Sequence, residues 1–314
     1  MPINIKEEVE LKNHSTFKIG GKAKYFVKVQ ELSELKEALK WALDNKVKYF
    51  ILGGGSNVLF SDEGFDGLII KLKSDKIEID GKNKIVCQAG VALSSLVEFA
   101  KENDLSGLEW ATGIPGTVGG AIRGNAGAFG SEISDSVIKI QALEIDNKEF
   151  TLQDFTKSEC QFNYRESIFK RNESLIIQEI ELSFKNSNKE EIQKLMNELI
   201  KKREKSQPSL KNFYSAGSIF KNPKVDKEII KSFEQETGAK CKDEKVPAGW
   251  LIDMCNLKGL QAGDAQVSSK QANFIVNKGN ANSQDVVTLI SLIKQKVRNN
   301  YGIQLQEEVK LVGF

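Results

Sequence analysis

The stretch GLEWATGIPGTVGGAIRGNAGAFG, residues 107–130, carries eight glycines in twenty-four positions. Glycine loses more chain entropy on folding than any other residue, so a run this dense constrains the fold. The main chain must take left-handed turns there or lie against something flat or charged. A flexible linker would be polar and Ser-rich, whereas this segment sets Trp110, Ile114, Val118, Ile122 and Phe129 between its glycines. A second run closes an apolar stretch, KYFILGGGSNVLF, where three glycines precede Ser56 and Asn57. Several N–H groups of such a loop can point into one concavity, which suits phosphate oxygens; a tight turn between strands is the other reading.

Neither run is a GxGxxG between a first strand and its helix, and no GxxxxGKS or GxxxxGKT occurs, so Rossmann and P-loop sites are not indicated. Two phosphate-grade loops about fifty residues apart suit a ligand longer than one nucleotide. A flavin dinucleotide offers a pyrophosphate to one loop and a planar ring to the other, where glycine backbone can approach closely and donate to the ring's polar edge.

A chain of 314 residues can hold two or three domains. Forty-five basic against forty-three acidic residues leave +2, too near balance for a nucleic-acid or membrane footprint. The charged start MPINIKEEVE and the lack of a long apolar run read as a cytoplasmic protein, and no obligate protein partner is evident. Cys87, Cys160, Cys241 and Cys255 form no CxxC pair and read as core residues. His14 is the single histidine, which removes two-histidine metal sites; no metal site is expected. Proton chemistry must then use Ser, Tyr, Lys, Arg, Asp or Glu.

Hydrophobic periodicity predicts a strand at 23–29, then a helix over 31–45 with Leu32, Leu35, Leu39 and Ala42 on one face. A strand DGLIIKLK, a hairpin IEIDGKNKIVCQAG, a helix at 92–103 and strands around 137–152 and 174–184 follow. A helix over 188–204, with Ile192, Leu195, Met196 and Leu199 at helical spacing, leads to a second region of polar turns. Strand QANFIVN, a helix opened by Ser283 and Asp285, and a final strand near IQLQEEVKLVG complete the pattern.

The pair ILGGGSNVLF and GIPGTVGGAIRGNAGAFG resembles the flavin-binding signature of the vanillyl-alcohol-oxidase class of flavoproteins. NYRES, AGSIFKNP, PAGWLID and GDAQVSSKQANFIVN resemble, within it, the UDP-N-acetylenolpyruvoylglucosamine reductase family, from TFKIGG at 16 to the last strand. Fifty-three positions from Arg165 to Ser218 look like the shorter form, which lacks a tyrosine-bearing loop. Tyr214 stands where the family often has proline, and Gln271 where it often has histidine.

The resemblance implies an α+β chain: an FAD-binding domain of the vanillyl-alcohol-oxidase type in two α/β subdomains, residues 1–65 and 66–205, and an α+β substrate domain, 206–314, whose last strand returns to the active site. It implies non-covalent FAD held by Gly53, Gly54, Gly55, Ser56, Asn57 and Val58 and by Thr112, Gly113, Pro115, Gly116 and Val118. Gly119, Gly120, Asn125, Ala126 and Gly127 complete the cofactor set.

The implied reaction, in peptidoglycan precursor synthesis, is a hydride relay from NADPH through flavin to an enol ether bearing a carboxylate. A carboxylate activates poorly because the transition state pushes more negative charge onto it, so a fixed cation is needed, and Arg165 matches the family's position. Ser218 matches the proton donor and Glu308 the carboxylate near the closing strand; alternation along a strand would put Glu307 and Glu308 on opposite faces. Tyr164, Lys221 and Asn222 match substrate contacts, and Arg203 and Lys211 are further candidates. Two other readings stay open: an oxidase of the same flavin class, marked by peroxide production, and a flavin or nucleotide-sugar sensor, marked by binding without NADPH turnover.

Overall fold

Tyr49–Leu52 runs parallel to Phe65–Leu72, and this pair anchors a four-stranded sheet in the order Lys6–Glu10, Lys22–Val29, Phe65–Leu72, Tyr49–Leu52. The computed structural model describes residues 3–209 and 213–314. Its contacts divide the chain into two compact units that interleave in sequence. One takes residues up to Val9, Ala23–Gly54 and Asp66–Arg203; the other takes Glu10–Lys22, Gly55–Phe65 and Glu204–Phe314.

In the first unit the helix Leu32–Asp44 begins at a capping box between Glu31 and Glu34 and buries Leu35, Ala38, Leu39 and Ala42. That stripe packs with Val27, Val29, Leu68 and Ile70. A five-stranded sheet has the order Glu149–Thr156, Val137–Asp146, Leu175–Ser183, Lys84–Gln88, Ile77–Ile79, with every pair antiparallel. Asn147 and Lys148 both take positive φ, 44° and 72°, in the two-residue turn joining its first two strands. Helix Leu93–Glu102 covers this core with Leu93, Leu96, Val97 and Ala100. Helix Lys189–Ser206 buries Ile192, Met196 and Leu199, while Leu195 is 42% exposed. The expected face therefore narrows, because Leu195 falls about 60° off the stripe at 100° per residue.

In the second unit a three-stranded sheet, Gln261–Ala262, Ala265–Val267 and Ile275–Asn277, shares a core with helix Ser283–Tyr301 through Val267, Ile275, Val286, Leu289 and Ile293. Two expectations are corrected here. Within QANFIVN only Ile275–Asn277 pairs as a strand, because Gln271 accepts from Phe274 N in a turn. Within IQLQEEVKLVG only Lys310–Val312 does, parallel to Val58–Phe60. The last helix is capped by Asn282 and Asp285, and Ser283, its first residue, is held by the Asp62 carboxylate through both N–H and Oγ at 2.7 Å.

The α+β expectation holds. Among the described residues no helix is long and apolar enough to cross a membrane, and no cluster of three His, Cys, Asp or Glu could hold a metal. The four cysteines are free thiols, three of them buried.

Candidate active site

In the first unit Gly53 and Gly54 lie against the second glycine loop. A Cβ on Gly54 would sit 2.6 Å from the Cα of Gly116, and one on Gly53 would sit 2.5 Å from the hydroxyl of Thr117. Both distances are below any real carbon contact, so glycine is needed for loop-on-loop packing. Gly54 itself does not take positive φ; Gly55 does, at 70°. The N–H groups of Gly54, Gly55 and Ser56, and those of Gly113, Gly116 and Thr117, enter no hydrogen bond among the described residues. Those of Val118, Gly119, Asn125 and Ala126 are engaged by main-chain carbonyls, and that of Gly120 by the Thr117 hydroxyl. Gly119 packs on Ala89, where a Cβ would approach to 2.7 Å.

The turn Glu109–Ala111 leads into the second loop. Glu109 Oε1, Trp110 Nε1 and Thr112 Oγ1 are buried without a hydrogen-bond partner among the described residues. Unsatisfied buried polar atoms are uncommon, and a bound ligand is one source of the missing partners. Arg203 donates Nε to the carbonyl of Thr112 at 3.0 Å and Nη2 to that of Trp110 at 2.7 Å, with the Phe129 ring 4.9 Å away. Burial pulls its guanidinium below the ordinary value. Arg203 thus grips the start of the second glycine loop. Lys211 lies outside the described residues.

Arg165 sits in the middle of the turn 163–166, closed by Asn163 N to Glu166 O at 3.1 Å and Glu166 N to Asn163 O at 3.0 Å. Its φ is 55°, a left-handed conformation that costs a residue other than glycine about 1–3 kcal/mol and that clusters at functional sites. The guanidinium donates to Asn125 O at 3.3 Å and Gly127 O at 2.8 Å, and lies 5.4 Å from the Tyr164 ring. Asn125 is fully buried; its amide donates to Asn163 O at 3.1 Å and accepts from Ser134 N at 3.3 Å. Its side chain therefore ties the glycine loop to the arginine turn.

In the second unit Ser218, Lys221, Asn222 and Glu308 come together on adjoining segments. Ser218 bridges Phe274, Glu308 N donates to Ile219 O at 2.7 Å, and Lys221 N donates to Gln306 O at 2.9 Å. Asn222 Oδ1 accepts from Ala248 N at 3.0 Å, at the start of helix Ala248–Met254. Lys294 Nζ donates to Glu307 at 2.7 Å. Asn57 donates Nδ2 to Glu308 O at 3.2 Å. Tyr214, 46% exposed, accepts through its carbonyl from Asn277 N at 2.8 Å, and the Gln271 carboxamide lies over Gly249.

Sequence reasoning missed Asn273. Buried, it accepts from Phe220 N at 3.0 Å and donates to Phe220 O at 2.8 Å, fixing the segment after Ser218. An asparagine inside the apolar run QANFIVN was the available signal.

Open N–H groups on glycine loops and orphaned polar atoms beside them fit a dinucleotide with a pyrophosphate and a polar ring edge. Residues 23–151 match an FAD-binding domain family, which defines the class as a flavin-dependent enzyme. Residues 207–312 match the family described as UDP-N-acetylenolpyruvoylglucosamine reductase, C-terminal domain. The reductase of Carboxydothermus hydrogenoformans is 39% identical, covering 98% of this chain and 93% of its own length. That of Pseudothermotoga lettingae is 40% identical, covering 98% and 97%. The crystal structure of the Thermus caldophilus enzyme superposes with a TM-score of 0.77 at 32% identity, covering 99% of both chains. The chain belongs to the UDP-N-acetylenolpyruvoylglucosamine reductase family.

Proposed function

We infer that this chain catalyses the NADPH-dependent, FAD-mediated reduction of UDP-N-acetylglucosamine enolpyruvate to UDP-N-acetylmuramate, a cytoplasmic step of peptidoglycan precursor synthesis. The observation that carries this reading is the near-complete match to reductases of that name at 39–40% identity. Residues 1–65 and 66–205 are assigned to two flavin subdomains and 206–314 to the sugar nucleotide; the contacts group 10–22 and 55–65 with the last of these.

FAD, when bound, would supply the hydride chemistry that links NADPH to the methylene carbon of the enol ether. The loops at Gly53–Val58 and Thr112–Gly120, with Asn125, Ala126 and Gly127 behind them, are assigned to hold it. Hydride addition at the methylene carbon drives the electron pair of the double bond toward the carboxylate, and the Arg165 guanidinium stabilises that charge without losing its own proton. Ser218 then delivers the proton to the carbon bearing the carboxylate, which balances the reduction. Glu308, on the segment bonded to Ile219, orients that transfer. Tyr164, Lys221 and Asn222 are assigned to the sugar nucleotide.

The test is a spectrum of purified protein under anaerobic conditions. NADPH should bleach a flavin band, and the enolpyruvyl sugar should restore it. Protein that cannot be loaded with FAD, or flavin reoxidised by oxygen to peroxide but not by the sugar, removes the reading.

A further inference from the structure

Arg165 is held at two ends. Its guanidinium meets the carbonyls of Asn125 and Gly127, while its own carbonyl accepts from Lys170 Nζ at 2.8 Å. Lys170 lies on the helical turn Ile168–Arg171. Phe169, 1% exposed, anchors that turn in the core, and Ser167 Oγ ties its start to Arg123 O at 2.8 Å. Glu166 stands 3.6 Å from the same ammonium and sets its direction.

We propose that Lys170 is a positioning residue for Arg165, fixing the left-handed turn that aims its guanidinium. The inference rests on the role given to Arg165 above. A left-handed arginine at the second central position of a turn, where glycine or asparagine is usual, relaxes by flipping the peptide that precedes it, between Tyr164 and Arg165. The Arg165 carbonyl lies on the peptide that follows, and Lys170 holds that side of the residue in place. A cationic donor on this oxygen resists reorientation of the Arg165 backbone as a whole, and charge-assisted bonds are the stronger kind. The side chain of Lys170 is 23% exposed, so solvent screens the contact only in part. Without it the guanidinium samples other directions, and a cation aimed in advance at developing charge loses its advantage.

The experiment compares Lys170→Met, Lys170→Arg, Arg165→Met and Lys170→Met/Arg165→Met as FAD-loaded proteins in stopped flow. Lys170→Met should slow reoxidation by the enolpyruvyl sugar about tenfold, the loss of one such bond. It should leave flavin reduction by NADPH at the parental rate, and Lys170→Arg should restore most of the sugar step. In the Arg165→Met background Lys170→Met should cost nothing further, because no guanidinium remains to aim. Equal slowing of both half-reactions, no slowing of either, or the same tenfold loss in the double variant overturns the proposal. If Arg165→Met itself leaves the sugar step unchanged, the role of Arg165 fails instead, and the two failures are distinct.

Discussion

Glu307 and Lys294 form an ion pair at 2.7 Å, with side chains 30% and 27% exposed. Glu307 thus has a partner on helix Ser283–Tyr301, and the proposed role in proton transfer is assigned to Glu308. Glu308→Gln should slow reduction of the enolpyruvyl sugar by roughly 10² to 10⁴, the range for loss of a group that assists proton transfer. Glu307→Gln should leave the rate near parental and cost at most about 1 kcal/mol of stability, as partly solvated pairs do. Half-reaction rates and urea unfolding of both variants read the ranking, and the reverse order would move the assignment by one residue.

Gly54→Ala should be almost as damaging as Gly54→Val. A Cβ at Gly54 meets the main chain of Gly116 at 2.6 Å, and backbone cannot swing aside as a side chain can. Overpacking of this sort costs about 1–3 kcal/mol. FAD content after desalting and the melting temperature should both fall. Gly81→Ala is the control: its φ is 80°, but a Cβ there meets nothing within 4 Å. It should bind FAD normally.

Arg165→Met should spare flavin reduction by NADPH and slow the sugar step on the order of a hundredfold to a thousandfold. Ser218→Ala should act on the same step, by roughly 10² to 10⁴. Parental reduction of the sugar by the alanine variant would mean that serine is not the donor.

Burial pushes the thiols of Cys87 and Cys160 from 9.0 up to about 12. Between these values the folded chain keeps both protons while the unfolded chain releases them. Stability from this source is therefore unchanged below pH 9.0 and falls as pH rises toward about 12. The slope is up to about 1.4 kcal/mol per pH unit for each thiol. Urea unfolding of the parent and of Cys87→Ala at pH about 8 and about 10 measures it, and the variant should show the shallower loss.

Local patterns were legible where one face of an element decides its burial. The stripe on Leu32–Asp44 and the hairpin pairing Ile77 with Cys87 came out as periodicity predicts. The glycines marked the right loops, but for a reason sequence could not supply. Gly54 is required by a neighbour sixty-two residues away, Gly116, and not by its own φ. The expected strand through Glu307 and Glu308 shortens to one antiparallel bridge, Glu307 opposite Phe220, made by the bonds from Lys221 N to Gln306 O and from Glu308 N to Ile219 O. No pattern in QLQEEV shows which glutamate meets Lys294, since the helix that carries the lysine is placed by packing. Asn125 read as a cofactor contact; its amide is engaged inside the chain, a fact that depends on where the 163–166 turn lands.

The parallel pairing of Lys310–Val312 with Val58–Phe60 bears on the order in which the molecule is made. The bond from Asn57 to Glu308 closes a separation of 251 residues, and contacts that distant form slowly because the loop must close before it is rewarded. The residues of the first unit have all been made once Arg203 is added, so its contacts can begin to form while the ribosome is still at work. Residues 10–22 and 55–65, made early, must wait for the helix and strand that follow residue 282. During synthesis the turn that carries Arg165 can therefore form well before the segment that carries Glu308 has been made to meet Asn57 and Ile219.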